Sequence, residues 1–265
     1  MKTQIKRNAG DRAIYSLAGD VQSIRSQTLA IDVLDPAKHV VGRSWTKSVT
    51  EPLANWIGTT YDVRDVLRSV DHARGQDDSW RGCVEFAADY VVATDGCRLV
   101  RVPNRTGLIG VLPEAVVDLL VAVPGAVLDV GDGVYRVRSR HVVAQAPAPD
   151  VRFPDWRAVV DRLDAPTWTV TLDPHETRSR CTDGDVLTID DGRWTWTRAV
   201  QRVDGTRADV VTTGEGTGRG RVQLNGKYLD DAITAGCTVS GCDELDPVVV
   251  RSGDRLDIVM PMRMS

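Results

Sequence analysis

Five cysteines and four histidines are the residues of this chain best suited to nucleophilic or metal chemistry, and their spacing supports neither. Cys83, Cys97, Cys181, Cys237 and Cys242 form no C-x-x-C pair, and the last two have no His or Cys pair to complete a zinc set. His39, His72, His141 and His175 are scattered, and no Ser-His-Asp or Cys-His arrangement is legible. Asp190-Asp191 and Asp230-Asp231 are chain neighbours. Neighbours point to opposite faces of a strand and diverge on a helix, so neither pair makes an acid–base dyad. Residues Thr213–Gly220 read T-G-E-G-T-G-R-G. They lack the G-K-[ST] ending of a phosphate-binding loop and a strand pattern follows, so a flexible loop is expected there. Trp194 and Trp196, on one face of a strand, could stack on a sugar ring, but core or interface packing is the expectation. What remains is the chemistry of binding. Arg64, Arg68 and His72 recur at fourfold spacing, and Met260-Pro261-Met262 makes an adaptable apolar lip near the end of the chain.

Composition bounds the kinds of binding. At 265 residues, with 42% hydrophobic and 26% charged residues, the chain suits one large domain or two ordinary ones. The net charge of −4 gives no global basic signal for nucleic acid, although a local basic surface fits inside an acidic molecule. No apolar run approaches the roughly 18–20 residues of a membrane span. The basic start Met1–Arg7 has no apolar stretch behind it and does not read as a signal peptide. The odd cysteine count points to reduced thiols and a cytoplasmic protein.

The elements that must position these residues follow from periodicity. Residues 1–57 are irregular, with possible strands at Ala13–Leu17, Thr28–Leu34 and His39–Thr46 and a turn at Asp35-Pro36. Val63, Val66, Leu67 and Val70 mark an amphipathic helix of about four turns, with Arg64, Arg68 and His72 on its other face. A polar loop at Gln76–Ser79 precedes strands Gly82–Ala87, Tyr90–Thr94 and Arg98–Val102, the last two joined at Asp95-Gly96. Pro113 opens a second helix with Val116, Leu119, Leu120 and Val123 inward, and a meander follows over 127–145. Ala146–Asp150 reads as a rigid linker, and a short helical stretch runs to about Leu163. The second half repeats this order in outline. Its expected strands are Thr167–Leu172, Asp185–Asp190, Arg193–Val200, Ala208–Thr212 and Arg219–Leu224, around a short polar stretch at Asp173–Cys181. Asn225 caps a helix to Ala235 with Leu229, Ala232 and Ile233 inward and Gly236 as its stop. Strands Asp246–Arg251 and Arg255–Met260 end the chain. Alternation through Leu256, Ile258 and Met260 predicts a half-buried edge strand with Pro261 at its end. Each half is mostly strands with one or two amphipathic helices, which suggests two copies of one α+β domain.

Four segments resemble motifs of the bacterial DNA polymerase III beta subunits, the sliding clamps. Ala93–Leu99 (A-T-D-G-C-R-L) is similar to their A-T-D-G-H-R-L turn, and Phe153–Arg157 (F-P-D-W-R) to their F-P-D-Y-R linker. Asn225–Ala232 (N-G-K-Y-L-D-D-A) is similar to their N-x-x-Y-L-x-D-A-L helix start, and Val259–Met264 (V-M-P-M-R-M) to their V-M-P-M-R-L terminus. The four occur in family order and cover about residues 58–265. The resemblance implies an α+β DNA-clamp fold of repeated domains, antiparallel sheets with inward-facing helices, assembling into a ring. On that reading residues 1–57 are an extension or the remnant of a first domain, and 58–162 and 163–265 are the family's second and third domains. The departures are the short first segment, the missing long helix near Asp173–Cys181, and Cys97 where the family commonly has His.

Sliding clamps perform no catalysis and need no cofactor. The resemblance therefore implies a processivity factor that encircles duplex DNA without reading sequence. It would dock a replicative polymerase and a clamp loader through short linear peptides. Carried over residue by residue, the peptide pocket comprises Thr94, Gly96, Cys97, Arg98 and Leu99 from the turn, and Pro154 and Val159 from the linker. Tyr228, Leu245, Pro247, Ile258, Met260, Pro261 and Met262 complete it, with Trp80 at the rim. Arg64, Arg68 and Lys227 are the candidates for phosphate contacts; the plain alternative is a solvated helix face. Two-domain protomers would need three copies to make six domains, so a homotrimer is expected before a homodimer. A nucleoid-associated location and origin in a phage or mobile element fit this reduced form. The alternatives are a clamp-fold adaptor that binds partner peptides without encircling DNA, and an unrelated β-rich binding protein.

Overall fold

The computed structural model describes residues 6–8, 12–17, 20–24, 30–33, 58–75, 79–131, 133–140, 142–172, 183–190, 192–202, 205–234 and 236–263. The expected strand His39–Thr46, the turn Asp35-Pro36, residues 76–78, the stretch Asp173–Cys181 and the end Met264-Ser265 lie outside them. The chain divides into two compact units, Met1–Ala93 with Asn104–Phe153, and Thr94–Pro103 with Pro154–Ser265. In chain order the elements up to residue 153 are β1 (Lys6–Asn8), β2 (Arg12–Leu17), β3 (Asp20–Ile24), β4 (Ala30–Val33), β5 (Thr59–Tyr61), α1 (Arg64–Val70), β6 (Val84–Phe86), β7 (Tyr90–Thr94), β8 (Arg98–Pro103), β9 (Gly110–Leu112), α2 (Glu114–Ala122), β10 (Val127–Gly131), β11 (Val134–Arg138) and β12 (Val142–Pro147). Then follow α3 (Trp156–Val160), β13 (Trp168–Leu172), β14 (Asp183–Asp190), β15 (Arg193–Arg202), β16 (Gly205–Asn225), α4 (Gly226–Ala232), β17 (Cys237–Gly241), β18 (Val248–Ser252) and β19 (Arg255–Val259).

In the first unit β1, β2 and β3 form an antiparallel meander, and a five-stranded sheet runs β4-β12-β11-β10-β5. Its two helices lie together: Leu67 and Val70 of α1 and Val116, Val117, Leu119 and Leu120 of α2 are all buried. The helix α1 has seven residues and continues only as a 3-10 turn, Asp71–Ala73, so it falls well short of the expected four turns. Arg74 ties the ends of the two helices, pairing with Asp71 at 2.6 Å and with Asp118 at 2.7 Å. The expected strand from Gly82 begins instead with a 3-10 turn, Trp80–Gly82. Ala146 and Pro147, expected in a linker, are paired with Tyr135 and Val134 as the end of β12.

The second unit is a sheet in the order β14-β15-β16-β13-β17-β18-β19-β8. Its core gathers Trp168, Val170, Leu187, Ile189, Trp194, Trp196, Val222, Leu224, Leu229, Val239, Val248 and Val250. Three corrections to the sequence reading belong here. Residues 213–220, expected as a flexible loop between two strands, lie inside the single 21-residue strand β16. Their glycines recur at every second position and so share one strand face, which lies against indoles. A Cβ on Gly214 would stand 2.7 Å from the Trp194 ring, one on Gly216 2.8 Å from Val170, and one on Gly220 inside contact distance of Trp168. This glycine face makes room for two tryptophans, where the composition alone suggests a linker. Next, β19 is no edge strand. It pairs with β18 on one side and β8 on the other, and Leu256, Asp257, Ile258 and Val259 are all buried. Asp257 is tolerated inside because Arg255 meets it at 2.6 and 2.9 Å, which hides it from an alternation rule. Last, α4 stops at Ala232, three residues early, with Ile233 extended but still buried, and the sequence reading missed strand β17 altogether.

Candidate docking site and helix-borne cations

Three short segments of the second unit converge: the β7–β8 turn, the start of α4 and the tail after β19. The turn is held by its own polar residues. Thr94 Oγ1 donates to the Arg98 carbonyl at 2.6 Å and accepts from Gly96 N at 3.1 Å. Asp95 Oδ1 accepts from the backbone N–H groups of Cys97 and Arg98, both at 2.9 Å. Gly96 takes φ 91°, where a side chain would be strained. Cys97 is exposed as a free thiol at the tip.

The tail is fastened to this turn and to β16. Met260 N donates to the Cys97 carbonyl at 2.8 Å, and Met262 N donates to the Gln223 carbonyl at 2.8 Å. Pro261 between them has no N–H, so it can stand where no partner is on offer. These two bonds hold the methionines at the surface, 41% and 38% exposed. Two exposed methionines pinned at their backbone form an apolar lip whose side chains remain adaptable.

The helix is fastened through Arg98. Its Nε meets Asp95 at 3.1 Å, its Nη1 meets Asp231 of α4 at 2.7 Å, and the guanidinium lies 4.2 Å from the centroid of the Tyr228 ring. Asn225 caps α4 by accepting from the N–H groups of Lys227 and Tyr228 at 3.0 and 3.4 Å, which fixes where Tyr228 leaves the helix. Burial pushes the Tyr228 phenol up, Asp95 adds to that and Arg98 opposes it, so the phenol stays neutral and able to donate.

The sequence-derived pocket residues therefore fall into three groups. Thr94, Gly96, Cys97, Arg98, Tyr228, Met260, Pro261 and Met262 meet in this turn–helix–tail cluster. Leu99 and Ile258 are direct partners across β8 and β19 and are buried, so they form its floor. Pro247 stands one residue beyond the last β18–β19 pair, Val248 with Val259, at the strand end where Met260 also stands. Pro154, Val159 and Leu245 belong to the same unit but take no part in the bonds that join turn, helix and tail. Val159 is 42% and Leu245 59% exposed. The sequence reading missed Asp95 and Asp231. A signal was present for each: Asp95 lies three residues before Arg98, and Asp231 lies three after Tyr228 on the same helical face.

The candidate DNA contacts separate similarly. Arg68 and Lys227 are exposed, and among the described residues neither has an ion pair. Arg64 is half-buried and spends an Nη2 hydrogen bond, at 3.2 Å, on the Val121 carbonyl of α2, so it ties two helices together. On α2, Glu114 is buried and Asp118 is paired with Arg74, which also pairs with Asp71. Among the described residues no group of three or more His, Cys, Asp and Glu could hold a metal ion, and no helix is long and apolar enough to cross a membrane.

No protein-family model and no curated protein matches the sequence. Solved structures do match. A DNA polymerase III beta subunit from Eubacterium rectale superposes with TM-score 0.64 at 11% identity, covering 99% of this chain and 76% of the other. The beta subunit from Borrelia burgdorferi, in complex with a natural product, gives TM-score 0.66 at 11% identity over 83% of this chain and 67% of its own. A sliding clamp from Pseudomonas aeruginosa bound to griselimycin gives 0.63 at 16% identity over 99% and 75%. The fold is that of the DNA polymerase III beta subunits.

Proposed function

We propose that this protein is a DNA sliding clamp, a non-catalytic processivity factor that encircles duplex DNA and docks a replicative polymerase and a clamp loader through short linear peptides. The observation that carries the reading is the lip Met260-Pro261-Met262. In a chain with the clamp fold, it is pinned to the turn Thr94–Leu99 and stands in the same cluster as Tyr228. An apolar cleft with one phenol and a few backbone groups suits Leu and Phe side chains of an extended peptide. Arg68 and Lys227 are exposed helix-borne cations able to hold phosphates without base readout. On this reading residues 58–162 and 163–265 are the family's second and third domains, residues 1–57 are an extension or the remnant of a first, and three copies close the ring. A particle mass of two chains would replace the trimer with a dimer. The protein works in the cytoplasm, at the nucleoid.

Docking is tested by fluorescence anisotropy with a labelled hexapeptide carrying Leu and Phe. Met260→Ala is expected to weaken it about tenfold, the effect of one anchor residue worth ~1.4 kcal/mol. Equal binding by both proteins contradicts the site.

A second reading has its own support. With Arg64 committed to Val121, the lining cations reduce to Arg68 and Lys227, which suits a clamp-fold adaptor that binds partner peptides and leaves DNA alone.

A further inference from the structure

We infer that Asp231 is the positioning residue that makes the docking surface selective for neutral, apolar peptides, by keeping the Arg98 guanidinium away from the ligand. The inference rests on the docking reading above. Arg98 is the cation at the centre of the cluster, and its side chain is only 12% exposed. A guanidinium beside a peptide cleft would ordinarily recruit an acidic side chain through a forked pair of hydrogen bonds. Here two of its three nitrogens are already engaged, so neither edge has a complete fork left to offer. Nε faces Asp95 within the same turn, Nη1 faces Asp231 on α4, and the flat face lies against Tyr228 at 4.2 Å. Two carboxylates flank one cation, so an incoming carboxylate would meet net negative charge and a donor already spent.

The two acids have different jobs. Asp95 also caps its own turn through Cys97 N and Arg98 N, and its removal would disturb the turn itself. Asp231 has no such backbone duty in the turn. Its side chain is 29% exposed and reaches Arg98 from a separate element, 133 residues further along the chain. It therefore fixes the direction of the guanidinium, and through it the tilt of the Tyr228 ring that the peptide would touch. Tyr228 and Asp231 lie one turn apart on α4, so the helix that offers the ring also aims the cation over it.

The test uses the full chain and two labelled hexapeptides: one neutral with Leu and Phe, and one with a central residue replaced by Glu. Wild type is expected to prefer the neutral peptide. Asp231→Asn keeps an acceptor for Nη1 but removes one of the two flanking negative charges, and is expected to weaken the neutral peptide by about 3-fold and tighten the Glu peptide by about 3–10-fold, the range of a partly exposed ion pair. Asp231→Glu is expected to restore the wild-type preference. A purely structural role would weaken both peptides together, so an unchanged ratio in Asp231→Asn overturns the inference. Unfolding curves of each variant check that the fold is intact. Docking itself has a separate control: if wild type binds neither peptide and Met260→Ala changes nothing, the docking reading fails and this inference falls with it.

Discussion

Asp129 is 2% exposed and sits on β10, an inner strand of the first unit's five-stranded sheet, where a lone carboxylate would be expelled or protonated. Thr60 Oγ1 donates to it at 2.6 Å, and Arg138 meets it through Nε at 2.9 Å and Nη2 at 3.1 Å. Burial works to raise its pKa, but the hydrogen bonds from Arg138 and Thr60 and the charges of Arg138 and Arg136 outweigh it and hold it below the ordinary carboxylate value. A depressed folded-state pKa stabilises the fold above the unfolded value near ~3.9, and that stability is lost as pH falls through the folded value. Acid unfolding monitored by circular dichroism should therefore set in below about pH 4, and Asp129→Asn should flatten that acid limb. The variant should also be less stable at neutral pH by about 1–3 kcal/mol, because one of the two oxygens that Arg138 and Thr60 share becomes an NH2 donor and the counter-charge to Arg138 is lost. An acid limb identical to wild type would assign the effect elsewhere. At this scale the Asp95-Gly96 turn, the Asn225 cap and the tail Met260–Met262 were legible, because each is a local motif. It hid the long-range partners. The spacing to Tyr228 places Asp231 on the right helical face but does not show that it meets Arg98 across 133 positions, and nothing local distinguishes Arg64 from a free cation.

Among the elements, β16 separates composition from structure most clearly. Glycine at every second position has the composition of a linker, but a period of two also marks a strand face, and here that face lies under Trp168 and Trp194. The tryptophans on the two strands paired with β16 decide the matter, so a window confined to 213–220 cannot. Gly220→Ala puts a methyl group into the Trp168 indole and should cost about 1–3 kcal/mol by overpacking. In a Trp168→Leu background the same change should cost much less, and thermal unfolding of the four proteins of this cycle reads the coupling. Additive losses would mean that the glycine serves backbone freedom and not the ring. The same principle explains β19. Its alternating apolar residues describe one face, while the buried Asp257 on the other is disguised as a surface residue until Arg255 is seen beside it. Elements whose neighbours are sequential, such as β10, β11 and β12, fell near their expected bounds. The α4 cap at Asn225 was equally legible, since an Asn side chain accepting from N2 and N3 is a local event.

For the whole molecule, the low identity of 11–16% with clamp structures of TM-score 0.62–0.66 means that the fold persists while most side chains have changed. What remains recognisable is the set of residues that pins the tail to the turn and the helix. A ring has no need to read DNA or grip it; topology retains it, so two exposed helix-borne cations, Arg68 and Lys227, are compatible with the task, and affinity for phosphate is secondary. That makes encirclement, and not DNA affinity, the central claim, and it is tested most directly by retention on closed circular duplex DNA. After loading, the protein should stay with the circle through gel filtration at a salt concentration that abolishes simple ionic binding, and should be lost when a single restriction cut linearises the DNA. Retention that is indifferent to the cut, or absent from both forms, would contradict the clamp and leave the adaptor reading in its place.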